Sequence, residues 1–199
     1  MKPALVVLAA GASSRLGRCK ALTPLDGVTV LQRILSADAG HDPRPLVVAG
    51  PDFEAISAAA PNDVDVVAHP NWAAGRTGSI ARALLEREDR DLLLAPVDCP
   101  AVPASVFLAL RQAWTRAGSP PLGWLAPRHT SGRFGHPIVV GRDLLRALAG
   151  FDPDRPLRDL RASAEPLLSI QVDSEAVLED LDTPQDRARI EDRLRNERG

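Results

Sequence analysis

Residues Ala4–Ala9 form an unbroken apolar run that empties into the small-residue segment Ala10-Gly11-Ala12-Ser13-Ser14, and this limits the possible folds more than anything else in the chain. A strand with one wet face alternates apolar and polar residues, whereas one without polar positions must be covered on both faces. A parallel sheet with helices above and below meets that demand. The rest of the sequence keeps the same rhythm. Leu46–Ala49, Val64–Ala68 and Leu92–Ala95 read as further strands. Between them, Leu31, Ile34 and Leu35 share one helical face, as do Ile80, Ala83 and Leu84. Val106, Phe107, Leu110, Ala113 and Trp114 make the clearest stripe, with Pro103 suited to its first turn.

Further along, Leu122–Ala126 and Ile138–Val140 are expected strands flanking a glycine-rich loop, Ser131 to Gly135. Short helices over Arg142–Ala149 and Pro156–Ala162 and a strand at Leu167–Val172 follow. Thr183 is placed to cap a last helix, with Pro184 at its first position and Asp186 near its positive end. Arg187 to Arg198 alternates with Asp and Glu and reads as an exposed terminal helix. No repeat or low-complexity linker divides the chain. Residues 1–199 are therefore expected to form one α/β domain, three layers deep, around a mainly parallel sheet.

Charge narrows the function. The 24 Lys and Arg residues against 26 Asp and Glu leave a formal charge of −2. That balance offers no footprint for nucleic acid or an anionic membrane. Cys19 and Cys99 are too few for a disulfide framework or a four-ligand zinc site. No apolar run approaches the roughly 18 residues of a membrane helix. Lys2 followed by Ala4 to Ala10 imitates a short signal peptide, but a buried first strand accounts for it better, and a cytoplasmic location is expected.

The loop after the first strand carries the chemistry. A small-residue turn there lies at the carboxyl edge of the sheet, where open α/β folds bind ligands. Gly11 permits close backbone approach, and Arg15, Lys20 and Arg18 add cations suited to a polyphosphate. The known fingerprints fail, however. Five residues separate Gly11 from Gly17 and Ala21 follows Lys20, so no Walker loop is present; Ser13 fills the second glycine position of the dinucleotide pattern.

The segment instead resembles Leu-Ala-Ala-Gly-x-Ser-x-Arg-Met/Leu-Gly-x-x-Lys, a signature of molybdenum-cofactor nucleotidyltransferases (the MobA-like NTP transferases). Leu8, Ala9, Ala10, Gly11, Ser13, Arg15, Leu16, Gly17 and Lys20 match it. The resemblance implies a nucleotide-diphospho-sugar transferase-like, Rossmann-like fold, with Arg15 and Lys20 neutralising a bound triphosphate. Pro96-Val97-Asp98-Cys99-Pro100 is similar to the family's Asp-x-Pro metal motif, with Cys99 in place of the usual glutamine. Asp98 would then be a catalytic, nucleotide-binding ligand to Mg2+, a cation that takes few protein carboxylates. Asp180-Leu181-Asp182-Thr183-Pro184 is similar to the Asp-x-Asp/Asn-Thr-Pro segment that supplies the second carboxylate; Asp182 matches, and Asp180 is the alternative.

Two further segments complete the resemblance. His69-Pro70-Asn71-Trp72 to Ser79 looks like the family's nucleotide-side loop, which implies nucleotide contacts for Gly75 and Ser79, although Ser79 equally suits a helix cap. Trp72 reads as packing, and His69 replaces the family's asparagine. Gly132-Arg133-Phe134-Gly135-His136-Pro137 and Asp154-Arg155-Pro156-Leu157-Arg158 resemble acceptor-side loops, implying that His136 and Arg158 meet acceptor phosphate. The implied reaction moves NMP from an NTP to a phosphorylated acceptor with loss of pyrophosphate. The acceptor is expected to be molybdopterin, and a molybdoenzyme would receive the product. Ala10 looks more like the cytidylyl branch than the guanylyl one, so CTP is favoured over GTP. A sugar-phosphate nucleotidylyltransferase and a non-catalytic nucleotide-binding chaperone are the alternatives.

Overall fold

A computed structural model describes residues 2–38, 43–150 and 155–196. The strands are β1 (Ala4–Ala9), β2 (Pro24–Leu25), β3 (Val28–Thr29), β4 (Leu46–Ala49), β5 (Asp65–Ala68), β6 (Leu92–Pro96), β7 (Trp124–His129), β8 (Ile138–Val140) and β9 (Leu167–Val172). Seven of them form one sheet in the order β5-β4-β1-β6-β8-β7-β9, with β2 and β3 as a separate hairpin. β1 pairs in parallel with β4 on one side and β6 on the other, with Val6 opposite Leu46 and Leu94. β8 runs against both neighbours, and β9 is parallel to β7. The sheet is thus mainly parallel, as expected.

The apolar run of β1 divides between two cores. Leu5, Val7 and Ala9 enter one cluster with Leu31, Ile34 and Phe107. Ala4 and Val6 enter the other with Ile80, Leu144 and Leu145. These partners come from α1 (Val30–Ala37), α3 (Arg76–Glu86), α4 (Ala104–Arg116) and α5 (Arg142–Arg146). With α2 (Phe53–Ala59) and α6 (Pro184–Asn196), they make the layers on either face. Asp38 and Arg111 lock α1 to α4, with Arg111 Nε and Nη2 each 2.5 Å from a carboxylate oxygen and Nη1 on the Pro3 carbonyl at 2.7 Å.

The structure departs from expectation where tertiary contacts override pattern. β7 begins two residues after Leu122, because Gly123 closes a turn on the Pro120 carbonyl. It then continues through Arg128 and His129, because β9 pairs along its whole length. Pro103 stands at the cap of α4, one residue before its first turn. The expected Arg142–Ala149 helix is α5 followed by a 3-10 turn, Ala147–Gly150, and the segment after Pro156 is also 3-10, Leu157–Ser163. The last helix is capped as expected: Thr183 Oγ1 accepts the Asp186 N–H while Asp186 Oδ2 accepts from Thr183 N–H. It is not wholly exposed, since Ile190 is buried and Arg193 pairs with Glu179 at 2.6 Å.

Chain order places the crossover. From β1 the sheet grows outward through β4 and β5, then restarts on the other side of β1 with β6. The loops leaving β1 and β6 therefore flank the point where strand order reverses, the usual ligand crevice of an open α/β sheet.

Candidate active site

The loop after β1 is folded back on itself by its own backbone. Ser13 adopts φ 51°, and its carbonyl accepts N–H groups from Leu16 and Gly17, both at 3.1 Å. Ser13 Oγ accepts the Lys20 N–H at 3.1 Å. Gly50, after β4, lies so close that a Cβ there would stand 2.1 Å from the Ala10 carbonyl oxygen. These constraints turn Lys20 inward, leaving its side chain only 8% exposed.

A buried ammonium needs partners, and two carboxylates supply them. Lys20 Nζ lies 2.5 Å from Asp98 Oδ1 and 2.9 Å from Asp182 Oδ1. Arg15 Nη2 reaches Asp182 Oδ2 at 2.9 Å from a largely exposed position. The Asp98 carbonyl accepts the Leu181 N–H at 2.7 Å, so the loop after β6 holds the segment before α6 in place. Lys20 holds the Asp182 carboxyl below its ordinary pKa, with Arg15 helping. One residue group further, the Thr183 hydroxyl lowers Asp186 to about 2.

These four charges border a cleft of about 200 Å³. Leu8, Ala10, Gly11, Ser13, Arg15, Lys20, Ser79, Asp98 and Asp182, all expected site residues, line it. Ser14, Pro96 and Val97 also line it and were not anticipated. Ala9 turns its side chain into the core instead, and Gly75 precedes α3 without reaching the cleft wall. Ser79 is the fourth residue of α3 and buried, so it does not cap that helix. Asp180 points elsewhere, 3.9 Å from Cys99 Sγ. His69 is buried against Gly78 with no hydrogen-bond partner for Nε2 among the described residues, and burial lowers its pKa.

A second cavity of about 530 Å³ adjoins the first across Leu8 and Pro96. His136 and Arg158, the two residues expected to meet the acceptor, both line it; Asp154 lies outside the described residues. Sequence reading missed Phe134, Arg155 and Arg161, which line the same cavity. The Arg161 guanidinium carbon stands 4.1 Å from the centroid of the Phe134 ring, and that of Arg128 5.6 Å. The three-residue spacing of Arg158 and Arg161 was the available signal, since the 3-10 helix Leu157–Ser163 stacks such positions on one face.

Two cations and two carboxylates at a strand-order reversal suit a polyphosphate with a hard divalent cation. No group of three or more His, Cys, Asp or Glu side chains gathers as a metal site among the described residues. Two carboxylates with oxygen ligands from substrate would nevertheless be enough for a cation of the magnesium kind.

Known proteins agree with this picture. The chain is 24% identical to the molybdenum cofactor cytidylyltransferase of Escherichia coli (strain K12) over 183 residues, 91% of either chain. Crystal structures of Rv0371c from Mycobacterium tuberculosis H37Rv superpose with a TM-score of 0.79 at 29% identity, covering 96% of this chain and 98% of that one. Its manganese complex gives 0.77 at 28%, covering 96% and 99%. The fold extends to CMP:2-keto-3-deoxy-manno-octonic acid synthetase complexed with CTP, with a TM-score of 0.77 at 15% identity over 99% of this chain and all of that one. The architecture is that of the nucleotide-diphospho-sugar transferases. Residues 5–167 match the MobA-like NTP transferase domain, and the chain belongs to that family of nucleotidyltransferases.

Proposed function

We propose that residues 1–199 act as one catalytic domain that transfers CMP from CTP, in preference to GMP from GTP, to the phosphate of molybdopterin. The observation that carries this reading is the convergence of Lys20 Nζ on Asp98 and Asp182, with Arg15 beside them, at the mouth of β1 and β6. The name of the Escherichia coli relative supports cytidylyl transfer and the molybdenum-cofactor acceptor.

The residues divide the work. Backbone N–H groups of the Gly11–Lys20 loop and the cations of Arg15 and Lys20 hold the triphosphate. Asp98 and Asp182 have the hard oxygen donors that Mg2+ takes, and they would hold it. Bound there, the cation would supply polarisation of a phosphoryl oxygen and neutralisation of its charge. An acceptor phosphate, with a second pKa of about 6, is already a nucleophile near neutral pH, so no side-chain base is needed. Its oxygen bonds to the α-phosphorus as the bond to the β-phosphate oxygen breaks, and pyrophosphate departs. Arg15 and Lys20 stabilise the negative charge that grows on the leaving group. His136 and Arg158, across the Leu8–Pro96 divide, orient the acceptor. A molybdoenzyme would take the dinucleotide product.

Pyrophosphate release tests the assignment. Each NTP is paired with molybdopterin and with sugar 1-phosphates in the presence of Mg2+. Release with CTP and molybdopterin is expected; release only with sugar phosphates, or tight NTP binding without any release, overturns it.

A further inference from the structure

We propose that His69 is a positioning residue that seats the first turn of α3 between the two cavities, and that it does so only while its imidazole is neutral. This role rests on the reading that the first cleft takes an NTP, and adds what holds one wall of that cleft in place. α3 starts without a side-chain cap, because Gly75 stands at its cap position. Its first turn nevertheless faces both sites. Ser79 lines the first cleft, and Thr77 lines the second cavity, where its hydroxyl donates to the Arg155 carbonyl at 2.5 Å. Gly78, between them, faces His69.

The contact is close. A Cβ on Gly78 would stand 3.0 Å from His69 Nε2 and 3.3 Å from Cε1, so the edge of the ring lies against the bare backbone of the turn. The backbone of His69 is fastened on both sides. Its N–H donates to the Ala49 carbonyl at 2.8 Å, and its own carbonyl accepts from Trp72 N–H at 3.2 Å. One turn further along α3, Arg82 Nε donates to the Ala68 carbonyl at 3.2 Å, which ties the helix to the residue before His69. The ring is thus held against the turn from both partners' backbones. His69 is 8% exposed, and Nε2 has no hydrogen-bond partner among the described residues.

A neutral ring with its proton on Nδ1 presents only a lone pair to the turn. An imidazolium carries N–H on both nitrogens, so Nε2 would press a charged donor without an acceptor against Gly78. Parting the ring from the turn would let water reach that donor, and would move Ser79 from its place on the cleft wall. Nearby charge acts in the same direction. Among the described residues, Arg82 is the charged group whose field reaches the ring, and it is itself paired with Glu86 at 2.7 Å. β4 and the Trp72–Ala74 turn bring no charge, and Asp65, at the other end of β5, pairs with Arg44 and Arg87. Burial, helped by Arg82, pushes the His69 pKa below its ordinary 6.5. The ring is therefore neutral near pH 7 and takes up its proton only under more acid conditions. The asparagine that His69 replaces would not titrate at all.

CTP and GTP, each with Mg2+ and without acceptor, are titrated into wild-type protein, His69→Asn, His69→Gln, Gly78→Ala and the double variant His69→Asn/Gly78→Ala, between about pH 7.5 and about pH 5.5. The triphosphate titrates near this range as well, equally for every protein, so the difference between curves is what counts. Across the window wild-type affinity should fall roughly tenfold more than that of either His69 variant. Amide protection of residues 76–79, corrected for intrinsic exchange, should fall over the same window in wild type and stay level in His69→Asn and His69→Gln. At the higher pH, Gly78→Ala crowds the ring and should bind NTP roughly tenfold more weakly. The shorter asparagine of the double variant makes room for the new methyl and should restore binding. Parallel pH curves for wild type and both His69 variants, or a double variant as weak as Gly78→Ala, overturn the role of His69. The two readouts keep this claim apart from the one it rests on. NTP binding that ignores His69 leaves the cleft's assignment standing and removes the positioning role. His69-dependent loss of protection in a protein that binds no NTP removes the cleft's assignment and leaves the positioning of α3.

Discussion

The two adjoining cavities share Leu8 and Pro96 yet handle charge in opposite ways. In the smaller one, Lys20 and Arg15 are matched by Asp98 and Asp182, so opposite charges compensate each other at close range. In the larger one, arginines line an otherwise largely apolar space with no acidic residue on its wall among the described residues. The smaller is built mostly from strand ends and the loops leaving them, the larger from the face of β1, β6, β7 and β8 bordered by α3, a glycine-rich loop and a 3-10 segment. The difference fits the two substrates proposed above. A compensated centre suits a ligand that arrives with its own cation, while a face rich in guanidinium groups suits an anion that arrives alone.

The largest effect should come from the compensated centre. Replacing Lys20 by Ala removes charge stabilisation of the leaving pyrophosphate and should cost about 3–4 kcal/mol of barrier, or 10²–10³-fold in kcat. Lys20→Arg should not restore it, because a broad planar fork does not fit a buried point-charge position. Full turnover of Lys20→Ala with NTP, Mg2+ and acceptor would remove this residue from the chemistry. Two glycines then separate the cavities sterically. Gly50→Ala pushes on the Ala10 carbonyl and Gly135→Ala on that of Val177, each from 2.1 Å. Forced contacts of this kind cost roughly 1–3 kcal/mol. Gly50→Ala should raise the KM for NTP and leave that for acceptor; Gly135→Ala should do the reverse. If either variant raises both equally, the cavities are not independent.

Smaller effects refine the first cleft. Arg15 meets Asp182 from an exposed position, so Arg15→Ala should weaken NTP binding without measurable change in unfolding midpoint, since exposed pairs contribute about 0–1 kcal/mol. Asp186 sits at about 2, below its ordinary value of 3.8, chiefly because the Thr183 hydroxyl donates to it. A carboxylate lowered on folding stabilises the native state above its unfolded pKa. That contribution is lost as pH falls from 3.8 through about 2. Urea midpoints should therefore drop over this window less steeply in Asp186→Asn than in wild type, and parallel curves would contradict the capping account.

Much of this was legible in the residues, and the exceptions have physical causes. β1, β4, β8 and β9 fall on the expected limits, because each is a compact apolar or alternating run with a clear stop. The β2–β3 hairpin was overlooked although Asp26-Gly27 announces it, with φ 51° and 79° as a two-residue turn requires. α2 gave almost no pattern, since Ile56 is its one fully buried residue. At the site, local motifs pointed to Lys20, Asp98 and Asp182 separately. Their meeting at one nitrogen joins positions 78 and 162 residues apart, which only the sheet crossover brings together. Phe134 and Arg161 share no local motif, so their contact emerged only from the folded chain.

The central claim is that the Lys20–Asp98–Asp182 centre transfers a nucleotide to a phosphorylated acceptor. Pyrophosphate release, measured across all NTPs and both acceptor classes with wild-type protein, tests it most directly. Release that requires Mg2+, is fastest with CTP and molybdopterin, and is absent with sugar 1-phosphates is the predicted result. Release confined to sugar 1-phosphates, or none with any pair despite tight NTP binding, would contradict it.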